Sequence, residues 1–207
     1  MPESIRSHPQ PEQSGQTLVE FALVIPMLMV LLMGLLEVAL ALNASLAVNR
    51  ASQHGAHVAS TAGNLGGADC LILDAIEGDL GVPNDPDAIT EVRIERTAMA
   101  GNLSYARNRW LRDGKTECTY PDGTTVEVPY RQAEYGYPEA QRCPVLSGCP
   151  LLEPARSTVD NVGVTVFYRH DWVTPLNGML DLLSPGGSDS GGWSFEQRNI
   201  FRMEPVL

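Results

Sequence analysis

Two carboxylates sit inside the greasiest stretch of the chain. Glu20 and Glu37 interrupt SGQTLVEFALVIPMLMVLLMGLLEVALAL, Ser14 to Leu42. An ionised carboxylate at the centre of a bilayer costs roughly 2.5–3.5 kcal/mol on insertion scales, so acids kept there have a partner or a task. Three other groups have the residue types for chemistry. His54 and His57 stand three residues apart, on one face of a helix, as a pair of metal ligands would. No third ligand follows at a metal spacing, and Gly55 and Ala56 between them indicate close helix packing instead. His170 and Asp171 offer a base beside an acid, but they close a strand at a place where polar residues ordinarily begin a turn. Four cysteines, Cys70, Cys118, Cys143 and Cys149, complete the inventory.

These residues need elements to hold them. Residues 1–14, MPESIRSHPQPEQS, are polar and proline-rich and read as a disordered leader. Leu18 to Leu42 would span about 37 Å as a helix, enough for a hydrocarbon core of about 30 Å. Pro26 should kink it. The run is too long for a secretory h-region, and Arg6 alone makes a weak positive flank. Beyond it, NASLAVNRASQHGAHVASTAG keeps small and apolar residues at helical spacing, among them Leu46, Val48, Ala51, Gly55 and Val58. One helix is therefore expected from about Leu18 to about Thr61, ended by TAGNLGG, with its first half in lipid and its second in water.

The remainder reads as a small α+β domain. CLILDAIEGDLG, Cys70–Gly81, is a short amphipathic helix followed by a VPNDPDA loop. Ile89–Ala98, Thr124–Tyr130 and STVDNVGVTVFYRHDWV, Ser157–Val173, are strands, and WSFEQRNIFRMEPV is the last one. NLSYARNRWLRDG, Asn102–Gly114, is expected to be irregular, Pro175–Ser184 helical and PGGSDSGG a loop. The layout is an antiparallel sheet packed against the upper half of the long helix. SDSGG, Ser188–Gly192, resembles the nucleophile segment of trypsin-like serine proteases. A triad needs a base and an orienting acid on a scaffold, and the domain is too small for two β-barrels, so a flexible loop is the reading.

Composition narrows the functional classes. The chain has 207 residues and a net charge of −11. This excess of acid argues against nucleic acid, whose binders carry a basic patch, and no polybasic cluster offers a hold on anionic lipid. The cysteines all follow the apolar run and lack zinc spacing, which suits disulfides in an oxidising compartment. Cys143–Cys149 closes a short loop around PVLSG and leaves Cys70–Cys118; the other two pairings stay open. No phosphate loop, metal site, cofactor site or enzyme signature is found.

The signal lies at the N-terminus. Written as G|QTLVEF, with glutamate fifth after Gly15, the segment resembles the class III signal of type IV pilins and pseudopilins. The whole stretch looks like the TadE-like family of tight-adherence (Flp) pilus proteins, through Gly15, Gln16, Val19, Glu20, Phe21, Ala22, Leu23, Pro26, Gly34 and Glu37. NRASQHGAHVA resembles that family's A-x-x-GAR-x-A stretch, with His57 in place of the usual arginine. VGVTVFYRH and IFRMEP resemble its later strands more diffusely.

The resemblance implies cutting between Gly15 and Gln16 by a prepilin peptidase on the cytoplasmic face. It implies an assembly contact through Glu20 and Phe21, in which the Glu20 carboxylate pairs with the new α-amino group of a neighbouring subunit. Glu37, about 25 Å further along the axis, either reaches water at the opposite headgroups or contacts another assembly subunit. The expected organisation is a leader (1–15), a transmembrane helix (16–42), its extracytoplasmic continuation (43–63) and an extracytoplasmic α+β domain (64–207). The implied partners are the peptidase, other pilus subunits, the membrane platform of the tight-adherence machinery and the lipid bilayer. The expectation is a minor pilin or pseudopilin and not an enzyme. Its rival is an uncleaved single-pass envelope protein whose outer domain binds a surface ligand.

Overall fold

The computed structural model describes residues 14–81, 84–98, 104–120, 122–175 and 192–204. The leader before Ser14, the expected helix from residue 176 on and the SDSGG loop up to residue 191 lie outside the described residues.

The chain begins with α1, Ser14–Ala62, a helix of 49 residues and about 73 Å. The helix continues through Pro26. It stops where Gly63 takes a left-handed φ of 59° and Leu65 donates back to the Ala62 carbonyl, the kind of ending a glycine permits cheaply. After one short turn comes α2, Ala68–Asp79. The Glu139 carboxylate accepts from the Gly67 and Asp69 amides, at 3.0 and 2.8 Å, and so satisfies donors that the start of a helix leaves open. Gly67 itself, at φ 82°, passes so close to the Thr119 carbonyl that any side chain would collide.

Five strands form the main antiparallel sheet: β1 Ile89–Thr97, β2 Ser104–Leu111, β5 Arg131–Tyr135, β6 Asn161–His170 and β7 Trp193–Arg202. Their order is β5-β2-β1-β6-β7. A small hairpin, β3 Thr116–Thr119 with β4 Thr125–Val128, stands apart. The expected α+β class, a long apolar helix on a small antiparallel sheet, is the observed one. One expectation fails: Asn102–Gly114 is not irregular but contains β2, paired with β1 from Glu91↔Leu111 to Thr97↔Ser104.

Alternation gives the sheet its two faces. Val92, Ile94, Trp110, Val162, Val164 and Val166 are buried toward the helices, where they meet Val48, Ala51, Ala56 and Ala59 of α1 and Ile72, Leu73 and Ile76 of α2. Small residues on α1 let the elements approach closely. A Cβ on Gly55 would come within 2.8 Å of Ile76. The outer face is charged. Glu91 accepts from Arg109 at 2.8 and 2.9 Å and from Arg93, while Arg198 pairs with Glu95 at 2.8 Å. Burial by itself would push the Glu91 carboxyl up, yet the hydrogen bonds and charges of Arg109 and Arg93 hold it at about 2.

Both disulfides join the pairs favoured by loop closure. Cys70–Cys118 ties α2 to the β3–β4 hairpin, and Cys143–Cys149 closes the loop before β6. Between them lies a buried polar centre. Arg142 pairs with Asp69, which also accepts from Asn108 at 2.8 Å, and Tyr137 donates to Asp160 at 2.9 Å.

Candidate functional site

The residues singled out in the apolar segment divide at one point on α1. From Leu18 to Leu36 the large apolar side chains are exposed around the helix, including Phe21, Leu23, Met27, Leu31 and Leu35. Glu20 is exposed among them, and Gly15 and Gln16 lie in the first turn of α1. Leu18–Leu36 covers about 28 Å, close to the thickness of a bilayer's hydrocarbon core. This is the one helix among the described residues long and apolar enough to cross a membrane.

At residue 37 the environment changes. Glu37, Ala41, Ala44, Val48, Ala51, Gly55, Ala59 and Ala62 succeed one another at intervals of three and four and are buried. Residues so spaced share one helix face. Glu37 is therefore the first member of the stripe on which the α+β domain rests. It is 2 % exposed. Its carboxylate accepts from the backbone N–H of Val173 at 3.2 Å and of Thr174 at 3.0 Å, and lies 3.3 Å from Nε2 of His170. Of the two alternatives for Glu37, water or another subunit, the one in which it reaches water does not hold, because the side chain is buried. The carboxylate is enclosed by a turn more than 130 residues away, which supplies it with three contacts. His170, read from the sequence as a strand-end residue, is the side chain that completes this clamp, and sequence spacing held no sign of the pairing.

Further up the stripe, Ser52 donates to the Val164 carbonyl at 2.8 Å. Asn199 donates to the Asn49 carbonyl and side chain, and Gln197 to Ser45. These contacts seat β7 and β6 on α1. Leu46, one of the apolar residues at helical spacing, is exposed on the other side, because the stripe runs through Ala44 and Val48.

The remaining candidates are not brought together. His54 is exposed and 3.0 Å from Asp79 at the end of α2, whereas His57 stands edge-on to Phe201 of β7. Asp171 pairs with Arg169 at 3.1 Å and not with His170. No group of three His, Cys, Asp or Glu side chains suited to a metal converges among the described residues. The carboxylate thus pins the turn after β6 to α1 at residue 37, at the lower edge of the packing between the α+β domain and the helix.

No curated protein and no solved structure matches this chain. Residues 15–57, which hold the glycine–glutamine pair, both acids and both stalk histidines, match the family model described as TadE-like protein, and this links the chain in general terms to the tight-adherence pilus.

Proposed function

We propose that the chain is a minor pilin or pseudopilin of a tight-adherence pilus, an assembly component and not a catalyst. The supporting observation is the division of α1 at residue 37. A helix with Leu18–Leu36 uncovered must be surrounded by lipid or by similar helices, since water solvates so much apolar surface poorly. A subunit built this way is stored in the membrane by its lower half and can pass that half into a bundle of like helices during assembly. The clothed half travels with it as a rigid handle.

In this reading the leader up to Gly15 is removed on the cytoplasmic side and the outer domain lies across the membrane, where its two disulfides suit an oxidising compartment. Gln16 then carries a free α-amino group about one turn from Glu20. A carboxylate in lipid is tolerated when a cation compensates it, and the amine of a neighbouring subunit supplies one. Pairing of that kind sets the axial register between subunits. The partners are the prepilin peptidase, other pilus subunits and the membrane platform, and the outcome is surface adhesion.

Mass spectrometry of the N-terminus tests this. A mature start at Gln16, lost in Gly15→Ala, is expected. An intact leader in cells that carry the peptidase refutes processing and favours the uncleaved anchored protein. Glu20→Ala should leave cleavage unchanged and abolish assembly; normal piliation in that variant would remove the pairing role.

A further inference from the structure

The Glu37 clamp does more than join two elements, because it sets the height of a particular surface. The turn after β6 is held by the Val173 and Thr174 amides at the level of residue 37, where one face of the apolar helix first becomes covered. Trp172 lies in that turn, and Trp193 opens β7 as the cross-strand neighbour of His170. The two indoles meet edge to face with centroids 5.6 Å apart. Val173 is 67 % exposed and Trp193 38 % exposed. Beside them Arg169 and Asp171 form an exposed ion pair, 3.1 Å long. An indole pair, an outward valine and an ion pair thus adjoin the upper end of a helix of membrane-spanning length.

We propose that this corner, Trp172, Val173 and Trp193, is a seat for the headgroup layer of a phospholipid bilayer, and that it holds the outer domain down on the membrane surface. The inference rests on the reading of α1 as a membrane anchor. Indole suits the occupant: its body is apolar, its N–H seeks a polar partner, and the headgroup region satisfies both, which is why tryptophan is enriched at membrane interfaces. Lipid is favoured over a protein partner by continuity. On the face that carries the domain, the exposed apolar surface of α1 gives way at Glu37 to this corner, while on the opposite face exposed Val38 and Leu42 continue it, so a bilayer that covers Leu18–Leu36 reaches the level of the tryptophans. Seated in this way, the domain has one depth and a restricted tilt, and the clamp transmits both to α1.

The chain's 3 tryptophans provide the test and its control. Trp110 is buried in the core, on β2. Full-length protein is reconstituted in phosphatidylcholine vesicles whose acyl chains carry bromine either near the headgroups or near the bilayer centre. Three single-tryptophan proteins are compared, each with the other two indoles replaced by Phe, and a mature fold is verified by complete disulfide formation. The proteins retaining Trp172 or Trp193 should lose emission roughly twofold with shallow bromine and less with deep bromine, as an interfacial indole does. The Trp110 protein should be unaffected. Equal insensitivity of all three in vesicles that do contain the protein overturns the seat while leaving the anchor intact. Emission at Trp172 and Trp193 that changes with protein density and not with bromine overturns it in favour of contact between copies. Failure of the protein to float with vesicles at all removes the anchor and the seat together.

Discussion

Leu18–Leu36 and Glu37–Ala62 belong to one unbroken helix, and they obey different physics. The lower half is apolar except for Glu20, uses mostly large side chains and exposes them around the helix. The upper half is built from Ala, Ser, Gly and Val on one face, which is filled by a sheet and a second helix, while its other face is mostly apolar as far as Leu46 and polar beyond it. Each half contains one acid. Glu20 is on the outside of the bare half, and Glu37 is enclosed where the clothed half begins. The same residue type therefore has two uses. In the lower half a carboxylate stands on the exposed surface of the helix. In the upper half it is consumed by the chain's own backbone.

Substitutions that act in one half and not in the other sharpen this contrast. The largest effect is expected at the glycines. Gly55→Leu drives a side chain into Ile76, which is fully buried, and should destabilise the outer domain by about 3 kcal/mol, as overpacking does. Gly34→Leu meets nothing within 4 Å and should leave the thermal transition of the domain unchanged. Comparable losses in both variants would break the distinction between the halves.

Acid gives the next effect. The Glu91 carboxyl, depressed to about 2 in the folded chain from an ordinary 4.5, contributes stability that is complete above pH 4.5 and disappears as pH falls toward 2. The loss is on the order of 2–3 kcal/mol. Glu91→Gln should flatten the acid limb of a denaturation curve measured between pH 5 and 2. The helical signal of the lower half should persist in detergent while the sheet melts.

Glu37→Ala removes the acceptor for two amides and should cost about 2 kcal/mol. It should also accelerate hydrogen exchange at Val173 and Thr174. Glu20→Ala should change neither stability nor exchange in the outer domain. The smallest effect is expected for Ser52→Ala, about 1 kcal/mol by chemical denaturation, because it deletes one buried hydrogen bond and leaves the packing in place.

Much of this architecture can be read from the sequence, and the failures have identifiable causes. The helix, the strong strands and the favoured cysteine pairs follow from length, periodicity and short loop closure. Strand β2 escapes because its inward residues include Asn108, a buried polar side chain satisfied by Asp69 and by the Tyr137 carbonyl, so no apolar alternation announces it. Strand β5, RQAEY, is an edge strand with mostly exposed side chains and gives no apolar signal either. Leu46 misleads in the opposite direction: it is apolar at helical spacing but belongs to the exposed face.

By itself the sequence determined that α1 is long enough and apolar enough to cross a membrane and that the rest forms an α+β domain. These properties are local, set by side-chain chemistry and a repeat of 3.6 or 2 residues. Only the tertiary structure decided what Glu37 does. Its partners, His170, Val173 and Thr174, become neighbours when β6 packs along α1, and two of the three donors are backbone amides that no residue type encodes. A carboxylate whose environment is assembled from the far end of the chain looks, in one dimension, like an acid reaching for water.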